Sequence, residues 1–167
     1  MRVTTLLLVR HGETDWNAEG RLQGHTDRPL NDRGRQQAKE LAERLAPDSA
    51  DAVYASDLLR AKETAEIVGQ RLGLLVVLDA DLREKDWGTW EGLTGDERAH
   101  VELVGESVQE HRERVLGAVN RIVGRHPGQR IVVVTHGGSL RRIQAALNGV
   151  AEPVIDNCAV WPWTFRS

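Results

Sequence analysis

The sequence has a single cysteine and lacks any long apolar segment. Of its 167 residues only Cys158 is a cysteine, which excludes an intrachain disulfide and a zinc site built on several cysteines. The longest uninterrupted apolar run, residues 74–78, is far shorter than the about 20 residues of a membrane helix. The apolar residues 6–9 are followed at once by Arg10 and His11, unlike a signal peptide. We therefore expect a cytoplasmic protein.

The sequence also lacks a strong excess of either charge. Lys and Arg number 22, Asp and Glu number 25, and the formal net charge is -3. This balance gives no electrostatic footprint for nucleic acid or for an anionic membrane, so we expect neither as a partner. The length and the ordinary content of 40% hydrophobic residues predict one domain over residues 1–167.

Short buried-type strands alternate with amphipathic helices along the chain. The strands are predicted at residues 4–9, 52–55, 74–78 and 130–135, with a last edge strand over 158–165 that Pro162 interrupts. Four helices are predicted. Two cover residues 38–45 and 58–72, a third begins at the S-x-x-E capping box that starts with Ser107, and a fourth lies around residues 140–147. Strands without polar alternation are typical of a parallel sheet covered on both faces. The predicted fold is a single-domain three-layer α/β/α sandwich with a mostly parallel central sheet.

Two of the predicted strands end in the same chemistry. The first is followed by Arg10 and His11, and the strand over 130–135 is followed by His136 and a Gly-Gly pair that opens a helix. Ligands of such sheets bind beyond the carboxyl ends of the strands, and helix N-termini favour anions. Arg60, near the start of the helix after the second strand, can reach the same rim. These features predict a phosphate site built without a metal.

The residues at this rim belong to an ordered set that resembles a known family. The matching segments include Leu8-Val9-Arg10-His11-Gly12-Glu13-Thr14, Trp16-Asn17, Leu22-Gln23-Gly24, Arg60-Ala61, Leu82-Arg83-Glu84, Trp87-Gly88, Trp90-Glu91-Gly92, Gly105-Glu106-Ser107 and Thr135-His136-Gly137-Gly138. They cover nearly the whole chain in the right order. The set resembles branch 1 of the histidine phosphatase superfamily, the phosphoglycerate-mutase-like group that also contains small-molecule phosphatases.

The resemblance implies a role for each matching residue. His11 is the implied nucleophile, which forms a phosphohistidine, and Glu84 is the implied proton donor and acceptor. Arg10 and Arg60 are suited to hold the phosphoryl oxygens, because a guanidinium is a rigid forked donor. The further catalytic or substrate-binding residues that the resemblance implies are Asn17, Gln23, Gly24, His136 and Gly137. It implies no cofactor and no metal.

Other interpretations of these residues remain open at the level of sequence. Arg60 could instead be a solvated helix residue paired with Glu63 or Glu66. Asp86 is the alternative to Glu84 as the acid.

Several residues near the motifs are assigned structural or solvent-exposed roles. Trp16, Trp87 and Trp90 are expected to pack beneath the site rather than to stack on substrate. We expect His25, His100, His111 and His126 to lie on the surface, and Arg141 and Arg142 to lie on a solvated helix face.

The predicted function is metal-independent hydrolysis of a small phosphorylated metabolite by a monomer or homodimer. A phosphoglycerate-type mutase is the alternative, and a non-catalytic phosphate-binding module is a further one. The segment between Thr94 and Gly105 is shorter than the lid that the resemblance leads us to expect. Because a mutase must shield its phosphoenzyme from water, this short segment favours hydrolysis.

Overall fold

The computed structural model describes residues 1–166 and contains one five-stranded sheet. The strands are β1 (Val3–Arg10), β2 (Ala52–Ala55), β3 (Val76–Leu78), β4 (Arg130–Thr135) and β5 (Val160–Arg166). They lie in the order β3-β2-β4-β1-β5. Only β5 runs antiparallel to its neighbour, β1, while the other pairs are parallel. The prediction of a mostly parallel sheet is confirmed.

Six α-helices and three short 3-10 helices connect the strands in the described part of the chain. The α-helices are α1 (Asp15–Ala18), α2 (Asp32–Leu45), α3 (Leu59–Leu72), α4 (Gly95–Arg98), α5 (Val108–Arg125) and α6 (Gly137–Asn148). The 3-10 helices cover Ala46–Asp48, Ala80–Leu82 and Gly88–Trp90. The predicted capping box at the start of α5 is present, with the Ser107 hydroxyl accepting from the Glu110 N–H. Among residues 1–166 no helix is both long enough and apolar enough to span a bilayer.

The helices cover both faces of the sheet. Successive side chains of a strand point to opposite faces, so Leu6 and Leu8 of β1 pack with residues of α5 and α6, such as Val115. Leu7 of β1 packs on the other face with residues of α2 and α3, such as Leu41. Burial of each such side chain contributes about 1.5–3 kcal/mol. The predicted three-layer α/β/α sandwich is confirmed.

Three details of the predicted strands were wrong: the start of the third strand, the start of the last strand, which is Val160 rather than residue 158, and the interruption of the last strand. The third strand begins at Val76 rather than at residue 74, because Gly73 takes φ +70° and the Leu74 N–H donates to the Gly69 carbonyl, which closes α3. The last strand continues through Pro162 without interruption. Pro162 lacks an N–H, but an edge strand pairs on only one side, so a missing donor is tolerated there.

The register of β1 and β4 brings the two predicted histidines together. Arg10 lies opposite Thr135, and the His11 N–H donates to the Thr135 carbonyl at 3.0 Å. The chain therefore leaves both strands at the same edge of the sheet, and the rings of His11 and His136 are 5.2 Å apart between centroids.

Candidate active site

His11 is buried at the carboxyl end of β1, with one ring nitrogen already fixed. Its Nδ1 lies 2.7 Å from the Gly12 carbonyl, which can only accept, so Nδ1 carries the hydrogen. The Nε2 lone pair is then left for chemistry. Burial, with Arg60 and Arg10 nearby, holds the pKa of His11 well below its usual value. The ring is therefore neutral at physiological pH.

Arg60 is a buried residue of α3 and not a solvated helix charge. Its Nη2 donates to the Gly24 carbonyl at 2.7 Å and its Nη1 to the Thr26 carbonyl at 3.2 Å. Burial lowers the pKa of Arg60 to about 10, which leaves it cationic at neutral pH. The alternative of a pair with Glu63 or Glu66 is wrong. The Glu63 carboxylate accepts from the Leu30 N–H at 3.0 Å, and Glu66 lies 3.8 Å from Nζ of Lys62.

Arg10 is tethered at one end of its guanidinium. Its Nη1 donates to the Ile155 carbonyl, while its Nε is buried without a hydrogen-bond partner among the described residues. The Nε of Arg60 is in the same condition. A buried N–H without a partner is costly, so nitrogens of this kind mark a place where an external acceptor fits.

His136 is completely buried between the end of β4 and the start of α6. Its Nε2 lies 2.8 Å from the Ser56 hydroxyl, whereas its Nδ1 has no hydrogen-bond partner within residues 1–166. Burial and the neighbouring Arg60 hold its pKa well below the usual value for histidine. His136 therefore offers a third unpartnered nitrogen beside His11.

The Glu84 carboxylate is held by backbone N–H groups from two segments. Lys85 N–H donates to Oε1 at 2.8 Å, and Gly138 N–H, in the first turn of α6, donates to Oε2 at 2.9 Å. Arg83, the basic neighbour that could have neutralised it, instead forms a two-pronged ion pair with Asp57 at 2.6 Å. The carboxylate is thus fixed in place without a salt bridge to its neighbours in the loop. Asp86 Oδ1, the alternative acid, accepts from the Gly88 N–H at 2.8 Å.

One cavity of about 260 Å³ joins most of these groups. Its lining residues include Arg10, His11, Asn17, Gln23, Arg60, Glu84 and Gly137. Gly24 and His136, also predicted to be in the site, are buried next to the cavity rather than on its wall. A histidine with a free lone pair, two arginines and a carboxyl group therefore meet in one small cavity. The set can accept a phosphoryl group and exchange a proton with it.

In the part of the chain described, no three His, Cys, Asp or Glu side chains are grouped to hold a metal.

Comparison with known proteins decides the family. The model for "Histidine phosphatase superfamily (branch 1)" matches residues 6–162. The chain belongs to this superfamily. It is 45% identical over 157 residues to "Phosphoglycerate mutase-like protein 4" of Arabidopsis thaliana, an alignment that covers 83% of this chain and 68% of the relative.

Two further relatives of this histidine phosphatase are named as phosphatases. The "Metal-independent phosphoserine phosphatase" of Arabidopsis thaliana is 40% identical over 160 residues, covering 84% of this chain and 67% of the relative. A mycobacterial glucosyl-3-phosphoglycerate phosphatase, solved with VO3, superposes with a TM-score of 0.85 at 30% identity, covering 97% of this chain and 90% of that one. The prediction of a phosphoric monoester hydrolase of the histidine phosphatase class is confirmed.

The remaining predicted residues of this histidine phosphatase brace the turn beside Arg60. The Thr14 hydroxyl caps α1 by accepting from the Asn17 N–H and lies 2.7 Å from Oε1 of Gln23. Gly24 takes φ +55°, a conformation that favours glycine. A Cβ there would also collide with the Glu91 carboxylate, so both the backbone conformation and the lack of space require glycine at this position.

The prediction that His111 lies on the surface was wrong. The His111 side chain is 1% exposed and lies between α5 and the Glu84 loop. His111 precedes Val115, a core residue, by four positions, so helical periodicity could have placed it on the inner face of α5. Of the other three histidines, His100 is exposed, whereas His25 and His126 are half-buried.

Arg114 is a second residue that the sequence interpretation missed. Its guanidinium donates to the carbonyls of Asp81, Arg83 and Glu84 at 3.0, 2.8 and 2.6 Å, and pairs with Glu106 at 2.6 Å. Burial would raise the pKa of Glu106, but Arg114 and the Asp86 N–H together outweigh burial, and the pKa is lowered. Arg114 therefore holds the backbone of the segment that carries Glu84. The motif Gly105-Glu106-Ser107 was the available signal for this residue, because Glu106 needs a basic partner.

The aromatic and basic residues at the mouth differ in part from expectation. Trp87 lines the cavity instead of packing beneath it, and its ring stacks on Trp90 at 6.0 Å between centroids. Trp16 is half-buried under the guanidinium of Arg28, which lies 5.2 Å from its ring centroid. Arg141 is exposed, as predicted, but also lines the cavity.

Proposed function

We propose that this protein hydrolyses small phosphomonoesters without a metal, through a phosphohistidine on His11 and with Glu84 as proton donor and acceptor. The observation that carries the proposal is the group of unpartnered buried nitrogens around His11: Nε of Arg10, Nε of Arg60 and Nδ1 of His136. The two arginine N–H groups match the charge that develops on the equatorial oxygens during phosphoryl transfer. The Ser56 hydroxyl can donate to Nε2 of His136, which places the hydrogen of that ring on Nδ1 and makes it a third donor.

The first half-reaction begins at Nε2 of His11. Its lone pair attacks phosphorus, the bond from phosphorus to the ester oxygen breaks, and the leaving alkoxide takes a proton from Glu84. His11 is suited to this step because burial and two arginines keep its pKa low and its ring neutral. The hydrogen bond from Nδ1 to the Gly12 carbonyl supports the positive charge that the ring acquires.

The second half-reaction regenerates the enzyme. Glu84, now a carboxylate, takes a proton from a water molecule that attacks the phosphohistidine. The bond from phosphorus to nitrogen breaks, inorganic phosphate leaves, and His11 recovers its lone pair. A positioned carboxyl group of this kind contributes about 10²–10⁴-fold to a rate. In-line geometry requires Glu84 and His11 on opposite faces of the phosphoryl group.

Metal independence is supported by the charge already in the site. Arg10 and Arg60 both line the cavity. Arg60 stays cationic because its lowered pKa is still about 10, and the lowering of the Arg10 pKa by burial is opposed by the nearby Glu84 and Asp156. Two guanidinium groups supply the positive charge that a divalent ion provides in other phosphoryl-transfer sites.

The substrate is expected to be small and its phosphoryl acceptor to be water. The cavity of about 260 Å³ has room for the phosphate and a small ester group, such as that of a phosphorylated metabolite. The mutase remains the second candidate, because one of the relatives is named as phosphoglycerate mutase-like. Release of inorganic phosphate, measured against interconversion of 2- and 3-phosphoglycerate with a bisphosphate primer, distinguishes the two activities.

Rapid quench with a labelled phosphomonoester tests the proposal. We expect an acid-labile, base-stable phosphoenzyme in the wild type and in His100→Ala, a control that removes an exposed histidine. His11→Ala should form none and should lose turnover. Turnover of His11→Ala at the wild-type rate would overturn the assignment.

A further inference from the structure

His111 is a buried titratable residue that the proposed mechanism leaves without a role. It lies on the inner face of α5, where its Nε2 is 2.9 Å from the Ser139 hydroxyl of α6 and 3.7 Å from Oε1 of Glu84. The second distance is too long for a hydrogen bond. His111 is nevertheless a buried neighbour of the Glu84 carboxyl group.

The hydrogen-bond pattern determines which nitrogen of His111 carries the hydrogen. The Ser139 hydroxyl donates to the Arg83 carbonyl at 2.9 Å, because a carbonyl can only accept. Its single hydrogen is then used, so the hydroxyl must accept from Nε2–H of His111. Nδ1 of His111 is buried without a hydrogen-bond partner in the described part of the chain, as suits a nitrogen that carries no hydrogen.

His111 is neutral where it contacts Glu84. Burial lowers its pKa to about 4. Glu84 and Glu106 act to raise this pKa, and Arg114 and Arg142 act to lower it. At neutral pH the contact with Glu84 is therefore not an ion pair.

We propose that His111 is a positioning residue for Glu84. Its neutral ring, anchored to Ser139, closes the interior side of the carboxyl group and keeps it against the N–H groups of Lys85 and Gly138. Oε1 then has two neighbours, the Lys85 N–H and the edge of His111, whereas Oε2 has the Gly138 N–H. The inference rests on the proposed function, since it assumes that Glu84 is the acid.

The experiment compares two ester types in His111 variants. His111→Phe fills the space without a polar edge, and His111→Asn, which is smaller and cannot overfill the site, serves if the first variant does not fold. We expect either to slow phosphoenzyme formation from an alkyl phosphate by about 10–100-fold, the effect of a misplaced catalytic group. With an aryl phosphate whose leaving group needs no proton, formation should stay near the wild-type rate. His111→Gln, which can place an N–H where Nε2–H was, should restore the alkyl rate, and His100→Asn is the control.

The outcomes separate this inference from the proposed function. Equal losses on both esters, no loss on either, or failure of His111→Gln to restore the alkyl rate would overturn the positioning role. Glu84→Gln is measured alongside with the same two esters. If Glu84→Gln slows phosphoenzyme formation equally with both esters, the assignment of Glu84 as the acid fails as well. If Glu84→Gln slows the reaction of the alkyl ester more than that of the aryl ester, while His111→Phe and His111→Asn do not, only the role of His111 is refuted.

Discussion

The backbone N–H of Gly138 donates to Oε2 of Glu84 at 2.9 Å. This contact joins residues that are 54 positions apart in the chain and ties the loop that follows β3 to the first turn of α6. The N-terminus of α6 therefore orients the group that we propose as the acid.

Glu84→Gln should separate proton donation from structural support. We expect phosphoenzyme formation from an alkyl phosphate to fall about 10²–10⁴-fold, because an alkoxide is a poor leaving group without a proton. With an activated aryl phosphate the formation step should be nearly unchanged, although hydrolysis of the phosphoenzyme should slow. A pre-steady-state burst measurement resolves the two steps. Equal slowing of formation with both esters would identify Glu84 as a scaffold residue.

Gly138→Ala should impair the same step from the other side of the contact. A Cβ at this position would collide with the Glu84 carboxylate, so the carboxyl group must move. We expect the alkyl rate to fall by about 10²-fold and the aryl rate to fall much less. Gly124→Ala is the matched control, because a Cβ on that glycine of α5 meets nothing within 4 Å. An alkyl rate unchanged in Gly138→Ala would contradict the observed geometry.

Arg60→Lys should lose most activity although the charge is retained. The Arg60 fork bonds the carbonyls of Gly24 and Thr26 and still has Nε for the phosphoryl group. A lysine cannot make these contacts together. We expect a loss in kcat of about 10²-fold, measured beside Arg71→Lys, an exposed position of the same helix. Near-normal turnover in Arg60→Lys would show that the guanidinium of Arg60 is not needed to hold the phosphoryl group.

Activity should survive EDTA. The two cavity arginines supply the positive charge in the proposed mechanism, so chelation should leave kcat/KM unchanged for an alkyl phosphate. Mg²⁺, Mn²⁺ or Zn²⁺ added after dialysis should not increase it. Loss of activity with EDTA that a divalent ion restores would refute metal independence.

Stability should decrease between about pH 6.5 and pH 5. The pKa values of His11, His111 and His136 are lowered in the folded state, that of His111 to about 4, while an unfolded histidine titrates near pH 6.5. In this window the unfolded chain binds protons that the folded chain does not, so the free energy of unfolding falls as pH falls. Each histidine contributes up to about 1.4 kcal/mol per pH unit.

Denaturant titrations at pH 7, 6 and 5 measure this slope. His111→Gln should make it shallower, whereas His100→Gln should leave it unchanged because His100 is exposed. A wild-type free energy of unfolding that stays flat over the window would contradict the burial of the three rings.

The order of strands and helices could be predicted from the sequence because local hydrophobic patterns report it. Residues 4–9 and 130–135 were predicted as strands and lie within β1 and β4. Arg10, His11 and His136 could be predicted as neighbours, because parallel strands bring their carboxyl ends to one edge. The boundary at Leu74 could not be predicted, because the bond from its N–H to the Gly69 carbonyl depends on how α3 ends.

By itself the sequence determined the family, the three-layer fold and the residues that carry the proposed chemistry. These depend on local pattern and on motifs in a fixed order. Only the tertiary structure decided that Arg60 is buried against Gly24, and that His111 and Arg114 brace the Glu84 loop from α5. These contacts join residues 27 to 36 positions apart across separate helices and loops. No local propensity reports such packing, because it arises only when the helices close over the sheet.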